Sequence, residues 1–108
     1  MKIQDFSIKG ITLEDVKNFF VLDKDYVIYT DEVQDCTFTE KEQIVDYDER
    51  YWFEFDVEIG VYDHEVTSVE VCKVIMYDEL EGKSIDLLQH EDASILEYLD
   101  KEVAYCVC

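Results

Sequence analysis

The clearest pattern in the sequence is a strict alternation of apolar and polar side chains over residues 51–61. The even positions include the carboxylates Glu54, Asp56 and Glu58. Because successive side chains of a strand point to opposite faces, this pattern predicts a strand with one buried and one acidic face. A slip of one residue would bury the three carboxylates, so the register is strongly specified. The odd positions are all apolar: Tyr51, Phe53, Phe55, Val57, Ile59 and Val61.

A second strand is predicted over residues 66–77, after a turn at residues 62–65. Val69 and Val71 share one parity, whereas Val74 and Met76 have the other. A strand can keep all four on one face only if an extra residue is inserted, which predicts a β-bulge near residues 72–73. The two strands together predict a long β-hairpin.

Two helices are marked by capping residues and helical spacing. Thr12 and Asp15 have the spacing of a capping box, and apolar residues follow at helical intervals, which predicts a helix over residues 12–22. A second helix is predicted over residues 91–105, where apolar side chains form a single stripe. The stripe consists of Ile95, Leu96, Leu99, Val103 and Cys106.

Three further elements have weaker signals. Residues 1–8 predict a short edge strand, and residues 26–29 predict a β-branched and aromatic strand. Thr39 and Glu42 again have the capping spacing, which predicts a short helix over residues 40–45. The order of these elements predicts one α+β domain over residues 1–108, with an antiparallel sheet in one layer and the helices on one of its faces.

Charge is the unusual feature of the composition. The chain has 28 acidic and 9 basic residues, a formal net charge of −19, yet 48% of its residues are hydrophobic. The apolar content excludes an intrinsically disordered acidic tail. Such a surface repels nucleic acid and anionic membranes and attracts basic proteins. The alternative is an acidic surface that serves solubility alone.

The sequence also indicates a compartment. Residues 1–10 have no apolar block of the kind found in a signal peptide, and no apolar run is long enough to cross a bilayer. The four cysteines lack the spacing of a disulfide scaffold: Cys36, Cys72, Cys106 and Cys108. We therefore expect reduced cysteines and a cytoplasmic protein.

Searches for chemical motifs lead us to expect neither a metal, nor a cofactor, nor an enzymatic activity. Cys106 and Cys108 form only one ligand pair, with His90 one predicted helix away, whereas structural zinc usually takes two pairs. The acidic stretches do not continue into a calcium-binding loop. His64 falls in the predicted turn, and no nucleophile or phosphate-binding motif occurs. Arg50 and eight scattered lysines form no basic patch for direct nucleic-acid binding.

The acidic face of the predicted hairpin is the best candidate for a binding site. Alternate residues on a strand lie about 6.7 Å apart, so Glu54, Asp56 and Glu58 form a regular row. Glu70 on the returning strand extends it, and regularly spaced carboxylates are a way to imitate nucleic acid. Trp52 falls on the same face, with no core to fill, and is a candidate anchor for a partner. The alternative is that Trp52 covers a sheet edge or packs under the short helix.

The C-terminal half carries the patterns F-E-F-D-V-E-I-G-V, T-S-V-E-V-C-K-V and S-I-D-L-L before an acidic helix. In this respect the chain is similar to small acidic proteins of phages and mobile elements, which are built as a long hairpin followed by a helix. The resemblance implies a fold and a genomic setting, and no activity.

Two functional hypotheses follow. In the first, the chain is an acidic interaction protein that binds a basic partner. A narrower form of this hypothesis is a DNA-mimic inhibitor of a nucleic-acid-binding protein. Its binding residues would be Trp52, Glu54, Asp56, Glu58 and Glu70. In the second, it is a structural or accessory protein, a homodimer joined through a sheet edge or through the Trp52 face.

Overall fold

A computed structural model describes residues 3–30 and 33–108 of the chain. A four-stranded antiparallel sheet, with its strands in chain order, forms one layer. The other layer contains two α-helices and a short 3₁₀ helix at Leu87–Gln89, so the predicted α+β class is confirmed. The helices are α1 (Leu13–Phe19) and α2 (Ala93–Ala104), and the strands are β1 (Cys36–Asp46), β2 (Tyr51–Tyr62), β3 (Glu65–Asp78) and β4 (Lys83–Asp86).

Strand β2 occupies the centre of the sheet, as its alternating pattern requires. Its odd-numbered side chains are almost completely buried, and Phe53, Phe55 and Ile59 have no exposed surface. Burying a side chain of this size contributes about 1.5–3 kcal/mol. Phe20, after α1, packs its ring on Phe53 and Phe55 at centroid distances of 5.2 and 5.7 Å. The central strand therefore holds the helical layer on one face only.

The hairpin formed by β2 and β3 follows the predicted pattern. Asp63 and His64 have φ angles of 54° and 63°, as a two-residue turn between tightly paired strands requires. The register shifts where Val57 pairs with Val71 and Asp56 pairs with Lys73, so Cys72 is the extra residue. The predicted bulge is confirmed, and it returns the inward-facing side chains to the core.

Both predicted helices exist, within narrower limits. The capping box of Thr12 and Asp15 starts α1, which ends at Phe19 because the next backbone turns away and places Phe20 on the sheet. Asp92 caps α2 by accepting the N–H of Ser94. The buried face of α2 contains Ile95, Leu99 and Val103, three members of the predicted stripe.

The helix predicted over residues 40–45 is wrong, because this segment belongs to β1. Val45 pairs with Phe53 and is buried, so the segment gains more from joining the sheet than from a single helical turn. The Thr39–Glu42 spacing that indicated a cap coincides instead with a register shift, where Glu42 has a φ of 56°. Its N–H donates to the carboxylate of Asp56 at 2.9 Å.

Two further predictions also need correction. Residues 26–29 form an isolated parallel bridge between Ile28 and Val107 rather than a strand. Residues 3–8 contain no strand, and the first two residues of that predicted strand lie outside the described part of the chain. Strand β4 was not predicted. No helix in the described residues is long and apolar enough to cross a membrane.

A buried ion pair fixes one end of the hairpin. Nε and Nη2 of Arg50, just before β2, donate to the two carboxylate oxygens of Asp78 at the end of β3, each at 2.9 Å. The Asp78 side chain is fully buried and also accepts the N–H of Glu81 at 3.3 Å. The hydrogen bonds from Arg50 are the largest cause of a lowered pKa at Asp78.

We predict that Arg50→Met lowers the melting temperature by at least about 5 °C, because it leaves a buried carboxylate without its partner. Since the pKa of Asp78 is lowered on folding, the stability from this pair is present above the ordinary carboxyl range. It is lost as the pH falls through the lower, folded-state pKa.

Thermal unfolding of both proteins between pH 7 and pH 3 checks this prediction. The difference in melting temperature between the unaltered chain and Arg50→Met should be constant down to about pH 5 and should narrow below about pH 4. A difference that is already lost at pH 6, or that is absent at pH 7, would contradict it.

Candidate protein interaction surface

The face of the sheet opposite the helices is solvent-accessible and acidic, and we call it the acidic face. Its centre is β2, whose even-numbered side chains lie here between those of β1 and β3. Pairing across the sheet determines which neighbours share the face. It consists of Ile44 and Asp46 on β1, Trp52, Glu54, Asp56 and Glu58 on β2, and Glu70, Lys73, Ile75 and Tyr77 on β3.

An aromatic stack lies at one end of the acidic face. Trp52 and Tyr77 are paired across β2 and β3, with ring centroids 3.9 Å apart and planes inclined by only 10°. Both side chains are half-buried. The hypothesis that Trp52 packs under a helix at residues 40–45 is wrong, because that segment is a neighbouring strand. Trp52 instead forms an aromatic platform with Tyr77.

A groove of about 630 Å³ adjoins this platform. Ile44 forms part of its apolar lining and is 49% exposed. The carboxylates around the groove come from β1, from the β1–β2 connection and from the residue after β3: Asp46, Asp48, Glu49 and Glu79. An aromatic ring beside several carboxylates suits an arginine or lysine side chain, which gains both cation–π and ionic contacts.

The predicted row of carboxylates is on the acidic face, although its three members differ in their environment. Glu54 accepts a hydrogen bond from Nζ of Lys73 at 3.2 Å, and this bond raises the pKa of Lys73. Asp56 accepts the N–H of Glu42. Glu58 is exposed and is paired directly with Glu70. The negative charge of the row that is free for a partner is therefore concentrated around Glu58 and Glu70.

Sequence reasoning missed several members of this surface. Tyr77 and Lys73 were not proposed, because their positions opposite Trp52 and Asp56 depend on the bulge at Cys72. Counting back from the turn would have found both only with a second register shift, between Gly60 and Val61, also included. Tyr51, which the sequence assigns to the buried face, is buried in the core as predicted.

The remaining chemical candidates lie elsewhere. Within residues 3–30 and 33–108 no group of three or more histidine, cysteine or acidic side chains is arranged to hold a metal ion. His90 contacts backbone groups through both ring nitrogens: Nε2 is 2.6 Å from the carbonyl oxygen of Ile11, and Nδ1 accepts the N–H of Asp92 at 2.9 Å. Burial raises the pKa of Tyr26 to about 12, away from the acidic face.

Comparisons with protein-family models, with curated proteins and with solved structures found no match for this chain. The resemblance to small acidic phage and mobile-element proteins stays a prediction. Function is therefore inferred from the geometry of the chain itself.

The pairing of Glu58 with Glu70 gives a prediction about stability. Like charges directly opposite on neighbouring strands are destabilising, so Glu70→Lys should raise the free energy of unfolding by about 0.5 kcal/mol. Glu65→Lys makes the same change of charge on the same strand, opposite Tyr62, and is the matched control. Urea unfolding at low salt measures both. Equal stabilisation by the two substitutions would show that net charge alone acts, rather than this pair.

Proposed function

We propose that this chain is an acidic interaction protein that binds a basic partner protein through its acidic face. The observation that carries the proposal is the stack of Trp52 on Tyr77, half-exposed beside a groove bordered by carboxylates. A half-exposed tryptophan in such a setting is typical of the anchor residue of an interface.

The charge of the chain supports a basic partner over a neutral one. A net charge of −19 on a 12.8 kDa domain attracts cationic proteins over long range and accelerates their association. The same charge repels nucleic acid and acidic proteins. The aromatic platform supplies short-range contact energy that screened surface charges alone do not provide.

A narrower form of the proposal is that the partner is a nucleic-acid-binding protein and that the acidic face occupies its basic site. The spacing of the β2 carboxylates, about 6.7 Å, is about twice the 3.4 Å advance per phosphate of one DNA strand. Because Lys73 bonds to Glu54, the phosphate-like charges in this hypothesis are those of Asp56, Glu58 and Glu70. The chain would then act as an inhibitor of that partner.

The alternative, a structural or accessory homodimer joined through a sheet edge or through the Trp52 face, has less support, because two acidic faces repel each other. The outer edge of β1 is interrupted by the register shift at residues 40–43, with Lys41 and Glu42 opposite Asp56. Bulges and charges of this kind prevent edge-to-edge pairing of strands. Light scattering distinguishes this alternative, since salt should promote association of two such acidic chains.

Titration with a synthetic arginine-rich peptide tests the proposal. Trp52 is the only tryptophan, so its fluorescence reports directly on the acidic face. We expect a saturable change in emission and an affinity that falls at least about ten-fold between about 50 mM and about 500 mM salt. An unchanged emission spectrum on addition of the peptide would contradict the proposal.

Charge-matched variants separate this surface from net charge. The triple variant Glu54→Gln, Asp56→Asn and Glu58→Gln should weaken binding well beyond its control, which removes three exposed carboxylates outside the acidic face. The control is Glu14→Gln, Asp25→Asn and Glu91→Gln. Equal losses in the two variants would assign binding to net charge, against the proposal. For the narrower form, a DNA duplex should compete with the chain for a basic DNA-binding protein of the native host.

A further inference from the structure

Strand β3 is much longer than the strand beside it. It covers Glu65–Asp78, whereas β4 pairs only with its last four residues, from Ile75 to Asp78. The chain then leaves the sheet in the 3₁₀ helix and continues into α2. Among the described residues, no strand pairs with residues 65–74 on the side away from β2. This half of β3 therefore has an open edge.

The backbone at this edge is oriented for hydrogen bonding outward. The N–H of Val71 points away from β2 and donates to a carboxylate oxygen of Asp100 on α2 at 2.7 Å. Asp100 thus supplies an acceptor where a neighbouring strand would supply a carbonyl. Because alternate residues of a strand direct their backbone groups to the same side, the N–H and C=O of Val69 also face this edge.

A groove of about 550 Å³ runs along the edge, between β3 and α2. Residues 66–69 form one wall, with Val66 38% exposed. The helix forms the other wall through Glu97, Asp100, Lys101 and Ala104. A strand requires about 4.8 Å beside its neighbour, and Val66, Thr67 and Ser68 along this wall are exposed to solvent.

We propose that this groove receives an extended, cationic segment of a partner protein, which adds to the sheet as a short strand beside residues 66–70 of β3. The backbone of Val69 supplies hydrogen bonds, and Asp100 marks the end of the added strand, since it already occupies the N–H of Val71. This surface lies beside the acidic face, with which it shares Glu70, and the inference does not depend on the proposed function.

The charges around the groove determine which occupant fits. Glu65 and Glu70 flank the strand segment, and Glu97 and Asp100 lie on the helix, against the single cation Lys101. A second copy of this chain, paired antiparallel at the same edge, would bring its own Glu65 and Glu70 to this edge. Like-charged pairs across strands are destabilising, so a lysine- or arginine-bearing segment fits better than a second copy.

The other edge of the sheet does not offer the same site. Strand β1 carries the charged residues Lys41 and Glu42 at its register shift, and charges on an edge strand oppose the addition of another strand. The open edge of β3 also has a register shift, where Gly60 pairs with Ser68 and Val61 with Val66, but its residues there are uncharged: Val66, Thr67, Ser68 and Val69. Strand addition is a common mode of peptide recognition, in which the main chain supplies affinity and flanking side chains supply specificity.

The test uses a seven-residue peptide of alternating valine and threonine with a lysine at each end, blocked at both termini. In NMR titration of the isotope-labelled protein, we expect amide shifts at residues 66–70 and around Asp100. Two further peptides carry N-methyl groups on one or the other set of alternate amides. One of them should bind at least about ten-fold more weakly than the parent, because only one set faces β3.

Two matched substitutions locate the site. Ala104 lines the groove and Ala93 begins the same helix outside it, and both are exposed. Ala104→Arg should weaken binding about ten-fold relative to Ala93→Arg, although both add the same charge. The Trp52→Ala variant should bind the peptide with the same affinity as the unaltered chain. The proposal is overturned if both N-methylated peptides bind equally, if the two arginine variants behave alike, or if the shifts fall elsewhere.

Discussion

The two-sided character of β2 is the constraint on which the rest of the structure depends. Its aromatic and aliphatic side chains bind the helical layer, and its carboxylates and Trp52 consequently lie on the opposite face. Because β2 is a central strand, those outward side chains lie in the middle of the sheet, between β1 and β3. The same alternation that stabilises the fold therefore creates a broad acidic surface.

The negative charge of that surface destabilises the fold, and it is the basis of the proposed recognition of a cationic partner. Glu58 faces Glu70 across the two strands. Lys73 offsets the negative charge only nearby, where it bonds to Glu54. Self-repulsion of this kind destabilises a compact state, and the fold tolerates it because the opposite face buries a large aromatic core. The surface that opposes folding is the one that we propose binds a cationic partner. The open edge of β3 is the site of the second, backbone-directed mode of binding that we propose.

The sequence was sufficient for the features that depend on local pattern. The hairpin, its bulge at Cys72, the capping box of α1 and the stripe of α2 all follow from periodicity or spacing. The prediction at residues 40–45 was wrong because a local capping signal, Thr39 with Glu42, competed with pairing to β2. The Trp52–Tyr77 stack was missed because it depends on the register of two strands. The groove beside β3 depends on the shortness of β4 and the position of α2, which no local pattern encodes.

The most direct test of this account compares two neighbouring residues on β2. Ile59 is completely buried, and Glu58 is exposed on the acidic face. In urea unfolding, Ile59→Ala should reduce the free energy of unfolding by about 2–5 kcal/mol, and Glu58→Ala should change it by no more than about 0.5 kcal/mol. Losses of similar size in the two variants would contradict the division of this strand into a buried and an exposed face.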